Sequence, residues 1–112
     1  MMKTFEVFEN ERWYILKGWT KAMLPGERPP WSNRDGTQAR SRRMTHLPGS
    51  DWEWSSEWDV FKDGGLTDES GWEYAISWMG DFQSSTSNLA MVRRRRWVRE
   101  CYKYLYDNYD EK

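Results

Sequence analysis

The densest chemical signal in this chain is Arg93-Arg94-Arg95-Arg96-Trp97-Val98-Arg99. Five guanidinium groups in seven residues can meet phosphate. They can equally stack between indole rings inside a core. Nine Trp are available for the second role. Other reactive groups are sparse. His46 is the single histidine, with no partner pattern around it, and reads as a solvated loop residue. Cys101 is the single cysteine, which excludes an intrachain disulfide and a cysteine-based metal cage. It has no activating base in its pattern and reads as a buried structural thiol. No Gly-rich phosphate loop, His-Glu-x-x-His or nucleophile elbow occurs. The chain reads as non-enzymatic and free of cofactors.

Carboxylates are the remaining candidates. Glu53, Glu57 and Asp59 share one face of an alternating stretch, with Asp51 just before it. Same-face neighbours on a strand stand about 6.8 Å apart. Calcium–oxygen bonds of about 2.3–2.6 Å are poorly served by that spacing. A charge ladder paired with arginines across a sheet is the better expectation.

Two period-two stretches must position these groups. In 52–60, Trp52, Trp54, Trp58 and Val60 lie opposite Glu53, Ser55, Glu57 and Asp59. In 72–78, Trp72, Tyr74, Ile76 and Trp78 lie opposite Glu73, Ala75 and Ser77. Both predict half-buried strands. Turn residues Asp63-Gly64-Gly65 and Asp68-Glu69-Ser70-Gly71 separate them, which suggests a hairpin with a long loop. Segment 4–9 predicts a further strand. Pro29-Pro30-Trp31 predicts extended chain. Residues 34–50 read as a long loop and 80–90 as a polar, flexible one. A strand is expected from 91 to about 100. Tyr102, Leu105, Tyr106 and Tyr109 then follow helical spacing, so a short helix is possible in the tail.

Composition sets the class. The 112 residues hold 12 Ile, Leu and Val against 19 Phe, Trp and Tyr. Few aliphatics can signal disorder, but a net charge of −1 and 17% aromatics point to a folded domain with an aromatic core. Balanced charge, 17 basic against 18 acidic, argues against a nucleic-acid binder. No apolar run approaches the length of a membrane-spanning helix. The opening residues lack a signal-peptide pattern.

Alternation divides the arginine run. In a strand, Val92, Arg94, Arg96 and Val98 share one face, and Met91, Arg93, Arg95, Trp97 and Arg99 the other. Because Val92 and Val98 are expected inward, Arg94 and Arg96 are assigned to an Arg–Trp stack. The expected members are Arg94, Arg96, Trp97, Trp52, Trp54, Trp58, Trp72, Trp31 and Trp13. The other arginines would meet the acidic face of 51–59. On this reading Arg94→Ala or Arg96→Ala lowers the melting temperature, whereas Arg42→Ala does not.

At these residues the chain resembles the DysF (dysferlin) domain. The matching pieces are Phe8-Glu9-Asn10-Glu11-Arg12-Trp13, Gly18-Trp19-Thr20 and the run Leu24 to Ser32. They continue with Trp52-Glu53-Trp54, Glu57-Trp58, Gly71-Trp72-Glu73-Tyr74-Ala75 and Val92 through Arg99. Residues 1–112 then form a single domain, with an N-terminal piece at about 5–50, a C-terminal piece at about 51–100 and a tail at 101–112. Related domains occur in ferlins, in membrane-shaping peroxins and in a tectonin-repeat protein of autophagy. The segment 79–91 departs from ferlin versions. The resemblance implies an all-β (mainly β) fold of long antiparallel strands with irregular loops, held by Arg–Trp stacking, and no catalysis. It implies a module on the cytoplasmic side of an organelle or plasma membrane, monomeric in isolation, with no nucleic-acid partner. Some members bind phosphatidic acid, other anionic lipid or sphingomyelin. The alternative is a purely structural or protein-interaction domain. Candidate lipid contacts are Arg40, Arg42 and Arg43 for phosphate, and Phe82, Leu89 and Met91 for shallow insertion.

Overall fold

The computed structural model describes residues 1–87 and 89–104. All its regular elements are strands, joined in one antiparallel sheet. Strand β1, Met2–Tyr14, and strand β7, Val92–Lys103, form the spine. Their pairing runs from Met2↔Tyr102 to Arg12↔Val92. At about 3.4 Å per residue this is a ribbon of roughly 35 Å.

Short strands complete both edges. On the free side of β1 lie β2, Gly18–Thr20, and β3, Trp31–Ser32. On the free side of β7 lie β4, Trp52–Trp54, β5, Asp59–Val60, and β6, Trp72–Ala75. They pair with β7 in tandem, at Cys101 to Lys103, at Trp97 to Val98, and at Val92 to Arg95.

This tandem arrangement corrects the expected hairpin between 52–60 and 72–78. The two stretches never pair with each other, because each takes backbone partners from a different part of β7. The first stretch is also broken. Its register slips by two residues between Trp54↔Cys101 and Asp59↔Val98. Strand β7 runs past residue 100 to Lys103, so Tyr102 is extended rather than helical. Leu105, Tyr106 and Tyr109 of the suggested helix lie outside the described residues.

The register assigns every side chain to a face. Glu9, Glu11, Arg93, Arg95, Trp97 and Arg99 share the first face with Trp31, Trp54, Trp72 and Tyr74. Phe8, Asn10, Arg94, Arg96, Ser32 and Glu73 share the second. The fully enclosed apolar core is thin: Val7, Phe8, Val92 and Cys101 are at most 2% exposed. Glu9, Asn10 and Glu11 are buried beside them. A sheet this poor in aliphatics covers both faces with aromatic rings and guanidinium stems instead.

Candidate functional site

The first face carries a nearly continuous stack of cations and rings. Arg93 Cζ lies 4.8 Å from the Trp19 ring centroid and 3.9 Å from that of Trp72. Arg95 lies 4.4 Å from Trp72 and 5.4 Å from Trp97. Arg42 reaches in from the loop, 4.0 Å from Trp97 and 4.9 Å from Trp31. Lys21 sits 5.8 Å beyond Trp31. Further along, Arg99 lies 4.1 Å from Trp54, whose ring meets Phe5 edge-on. Each such contact contributes about 0.5–2 kcal/mol, the more so when dry.

A row of carboxylates from β1 underlies this stack. Arg93 donates to Glu11 at 2.9 and 2.6 Å from Nε and Nη2. Arg95 Nε and Trp97 Nε1 both donate to Glu9 Oε1, at 2.6 and 2.9 Å. Lys21 bridges Glu9 and Glu11 at 2.5 and 2.9 Å. Burial opposes ionisation of Glu9. Hydrogen bonds from Arg95, Lys21 and Trp97 outweigh it and hold the carboxyl below the usual carboxylate range. Burial likewise opposes the Lys21 charge, but Glu9 and Glu11 raise its pKa above the ordinary value.

The second face uses phenylalanines. Arg94 lies 3.9 Å from Phe82 and 5.2 Å from Phe8, and donates to Glu73 at 2.5 Å. Arg96 lies 5.1 Å from Phe61 and donates to Glu6 at 2.6 Å. Arg34 joins Glu6 at 2.9 Å. Glu27 accepts from Arg12 and from Trp78 Nε1 at 3.0 Å, tying the 24–28 turn to the sheet.

These contacts redistribute the expected stack. Arg94 and Arg96 stack on Phe, not Trp. Among the described residues the Trp-stacked arginines are Arg93, Arg95, Arg99, Arg42 and Arg28, the last 4.3 Å from Trp78. Both faces are covered, so inward valines did not identify a uniquely inward face. The expected carboxylate partners also change. Among the described residues only Glu57, 3.7 Å from Arg99 and largely exposed, pairs with the run from the 51–59 face. The run's other partners are Glu6, Glu9, Glu11 and Glu73. Trp13 packs edge-on against Trp19 rather than on a cation. Among the described residues Trp52 and Trp58 make no ring or cation contact.

Acid lability follows. The carboxyls of Glu6, Glu9 and Glu27 titrate below their ordinary value: burial opposes this, and hydrogen bonds from Arg96, Arg95 and Arg12 respectively overcome it. A depressed carboxyl stabilises the fold above its unfolded pKa, about 4.3 for Glu. Melting temperature is therefore expected to hold near neutrality and to fall steadily below about pH 4.3. A flat profile down to pH 3 would contradict it.

With the run engaged, the free cations lie elsewhere. Among the described residues, Arg40, Arg42 and Arg43 have no carboxylate partner. They sit on the loop after β3. A bridge between Ser32 and Ala39 closes its first part, and the Ser41 hydroxyl accepts from Met44 N to close the turn that follows. Arg42, Arg43, Arg99, Trp31 and Trp58 with Ser41 and Thr45 line an open groove of about 680 Å³. Arg40 lines a smaller adjoining one of about 320 Å³ with Met44.

The suggested lipid contacts are thus only partly brought together. Arg40 and Arg43 are exposed at the groove. Arg42 is a stack member too, which corrects the expectation that its loss leaves stability alone. Arg42→Ala is expected to cost about 1–2 kcal/mol through two lost ring contacts and lost stem packing. Urea titration measures this, and an unchanged midpoint would refute it. Phe82 is half-buried between Arg94 and Trp78, so it is not free to insert. Leu89 and Met91 are exposed, but at the end of the sheet where β7 begins.

Residues 1–99 match the family model described as Pex24p, integral peroxisomal membrane peroxin. The chain belongs to the Pex24p family. The DysF-type residues fall almost wholly within that match, so the chain is a DysF-type domain of this organelle-membrane family. It is similar to a tectonin beta-propeller repeat-containing protein of Drosophila melanogaster, 37% identical over 88% of the chain and 7% of the relative. It is also similar to tectonin beta-propeller repeat-containing protein 1 of Homo sapiens, 37% identical over 89% of the chain and 9% of the relative. A meiotically up-regulated gene 65 protein of Schizosaccharomyces pombe is 31% identical over 84% of the chain and 41% of the relative. The chain thus spans less than a tenth of these tectonin relatives. Among the described residues no helix is long and apolar enough to cross a membrane.

Proposed function

We propose that the domain is a non-enzymatic module that reads anionic phospholipid headgroups peripherally, on the cytoplasmic side of an organelle membrane. The observation that carries this is the split among its arginines. Those of the run and Arg12 and Arg34 face carboxylates, and Arg28 is engaged by the Trp78 ring and backbone carbonyls. Arg42 and Arg43 instead line a solvent-open groove, and Arg40 an adjoining one, without a carboxylate partner among the described residues. A phosphate monoester or diester fits guanidinium and hydroxyl donors presented together. Each basic residue near an anionic surface adds about 1 kcal/mol. The Pex24p family's membrane description supports the same reading.

Co-sedimentation with vesicles of phosphatidylcholine alone, or with phosphatidic acid, phosphatidylserine or sphingomyelin added, tests it. Stronger binding to the anionic vesicles, weakening with salt, is expected. The Arg40→Ala/Arg43→Ala double variant should lose about thirtyfold on them, from about 2 kcal/mol, with the parent's melting temperature. Equal binding to all vesicles at every salt concentration would sink the proposal and favour a structural or protein-interaction role.

A further inference from the structure

We infer that the turn joining β1 to β2 is a second, charge-independent membrane contact, an apolar tip that enters the lipid interface. This rests on the reading that the domain meets membranes, and adds a site distinct from the arginine groove. Arg42 packs over Trp97, which pairs with Val7. The tip begins after Tyr14, seven residues further along β1, or roughly 24 Å away.

The tip offers large apolar side chains to solvent. Leu16 is 99% exposed and Ile15 is 83% exposed. The neighbouring chain adds Met79 at 95% and Leu89 at 66%, in loops flanking the ends of β6 and β7. Trp13 N donates to Met91 O and Met91 N donates to Ala75 O, which fixes these segments at the same end of the sheet. Single exposed leucines are ordinary, but four large apolar side chains exposed at one end of a sheet are not.

Backbone geometry sharpens the point. Leu16 has φ of +73°, the only non-glycine residue with positive φ among those described. That region suits Gly or Asn, and a Leu there is strained. The fold would favour Asn at this position, and so would water. Leu16 satisfies neither preference, so its side chain has a use outside the domain's own stability.

The lack of acidic groups selects the occupant. Residues 13–24, Trp-Tyr-Ile-Leu-Lys-Gly-Trp-Thr-Lys-Ala-Met-Leu, contain no carboxylate in a chain with 18 acidic residues, and of their two Lys, Lys21 is bound to Glu9 and Glu11. Lys17 lies in the turn itself and is exposed. Apolar side chains projecting from a convex turn, with a cation and the amphipathic Trp13 and Tyr14 at their base, match the order of a lipid interface from acyl chain to headgroup.

The test is vesicle flotation of the Ile15→Ser/Leu16→Asn variant, beside the parent and Arg40→Ala/Arg43→Ala. Vesicles are phosphatidylcholine alone, or with phosphatidic acid. The tip variant is expected to bind both at least about tenfold more weakly, the loss for one buried aliphatic side chain. Its melting temperature should equal or exceed the parent's, because Asn accepts positive φ. The arginine variant should weaken on anionic vesicles alone. If it does not, the groove reading fails while the tip stands. Parental binding by the tip variant on both vesicles overturns the tip. So does a parent that floats with neither, which would assign the tip to a protein partner.

Discussion

Arg93→Ala is expected to destabilise the domain by about 3–5 kcal/mol, the usual loss when one partner of a buried ion pair is removed. Two effects combine at this residue. Its guanidinium separates Trp19 from Trp72, so its removal opens the stack on both sides. It also provides two of the donors to Glu11, which is 8% exposed. Lys21 remains, at 2.9 Å, but must also serve Glu9. For a domain of this size the loss is a fall in melting temperature of more than about 10 °C. Arg93→Lys keeps the charge but loses the planar fork and the stacking surface, and should recover only part of the stability. Calorimetry of both variants is the measurement. A loss below about 1 kcal/mol for Arg93→Ala would mean that the run is a solvated surface after all.

The second large effect is expected at Gly71, where β6 begins. Its φ is +91°, a conformation that side chains disfavour. A Cβ there would lie 2.2 Å from Val60 Cγ1 and 3.0 Å from the Phe61 carbonyl oxygen. Val60 is held by β5 pairing to Trp97, and Phe61 N donates to Arg96 O, so neither can withdraw freely. Gly71→Ala should therefore cost about 2–4 kcal/mol, combining backbone strain and overpacking. Because Trp72 follows directly, near-ultraviolet circular dichroism should change as well. A variant that melts within 2 °C of the parent would show that the approach of β5 to β6 is loose.

Much of the sheet was legible from alternation. Trp72 and Tyr74 do share a face, and the run from Val92 is a strand, because period-two patterning is local and strong. The partners of that strand were not legible. Glu6, Glu9 and Glu11 lie 82–90 positions from their arginines. Nothing in the spacing of either segment encodes that register. The carboxylates at 51–59 were equally acidic and better patterned, but the two-residue slip after Trp54 and the exposure of Glu57 leave them at the margin.

The face assignment was missed for a related reason. Val92 is fully buried, as expected, yet the opposite face is covered as well, by indoles contributed from β2, β3, β4 and β6. A sheet with two covered faces has no outward side for alternation to reveal. Arg42 shows the same limit. It reads as a loop cation, and only tertiary folding slides it between Trp31 and Trp97. Nothing in its local pattern separates it from Arg40 or Arg43, which stay exposed.

The central claim is that the arginine run is occupied within the fold, while the exposed guanidinium groups of Arg40 and Arg43 lie on the loop after β3. Arginine-selective dicarbonyl modification of the native protein, read by peptide mass spectrometry, tests it most directly. Side chains of Arg93, Arg94, Arg95 and Arg96 are 17–28% exposed and paired to carboxylates. The account predicts early modification of Arg40 and Arg43 and slow modification at 93–96 until the protein is unfolded. Modification of the run as fast as Arg40 and Arg43 in the native state would contradict it.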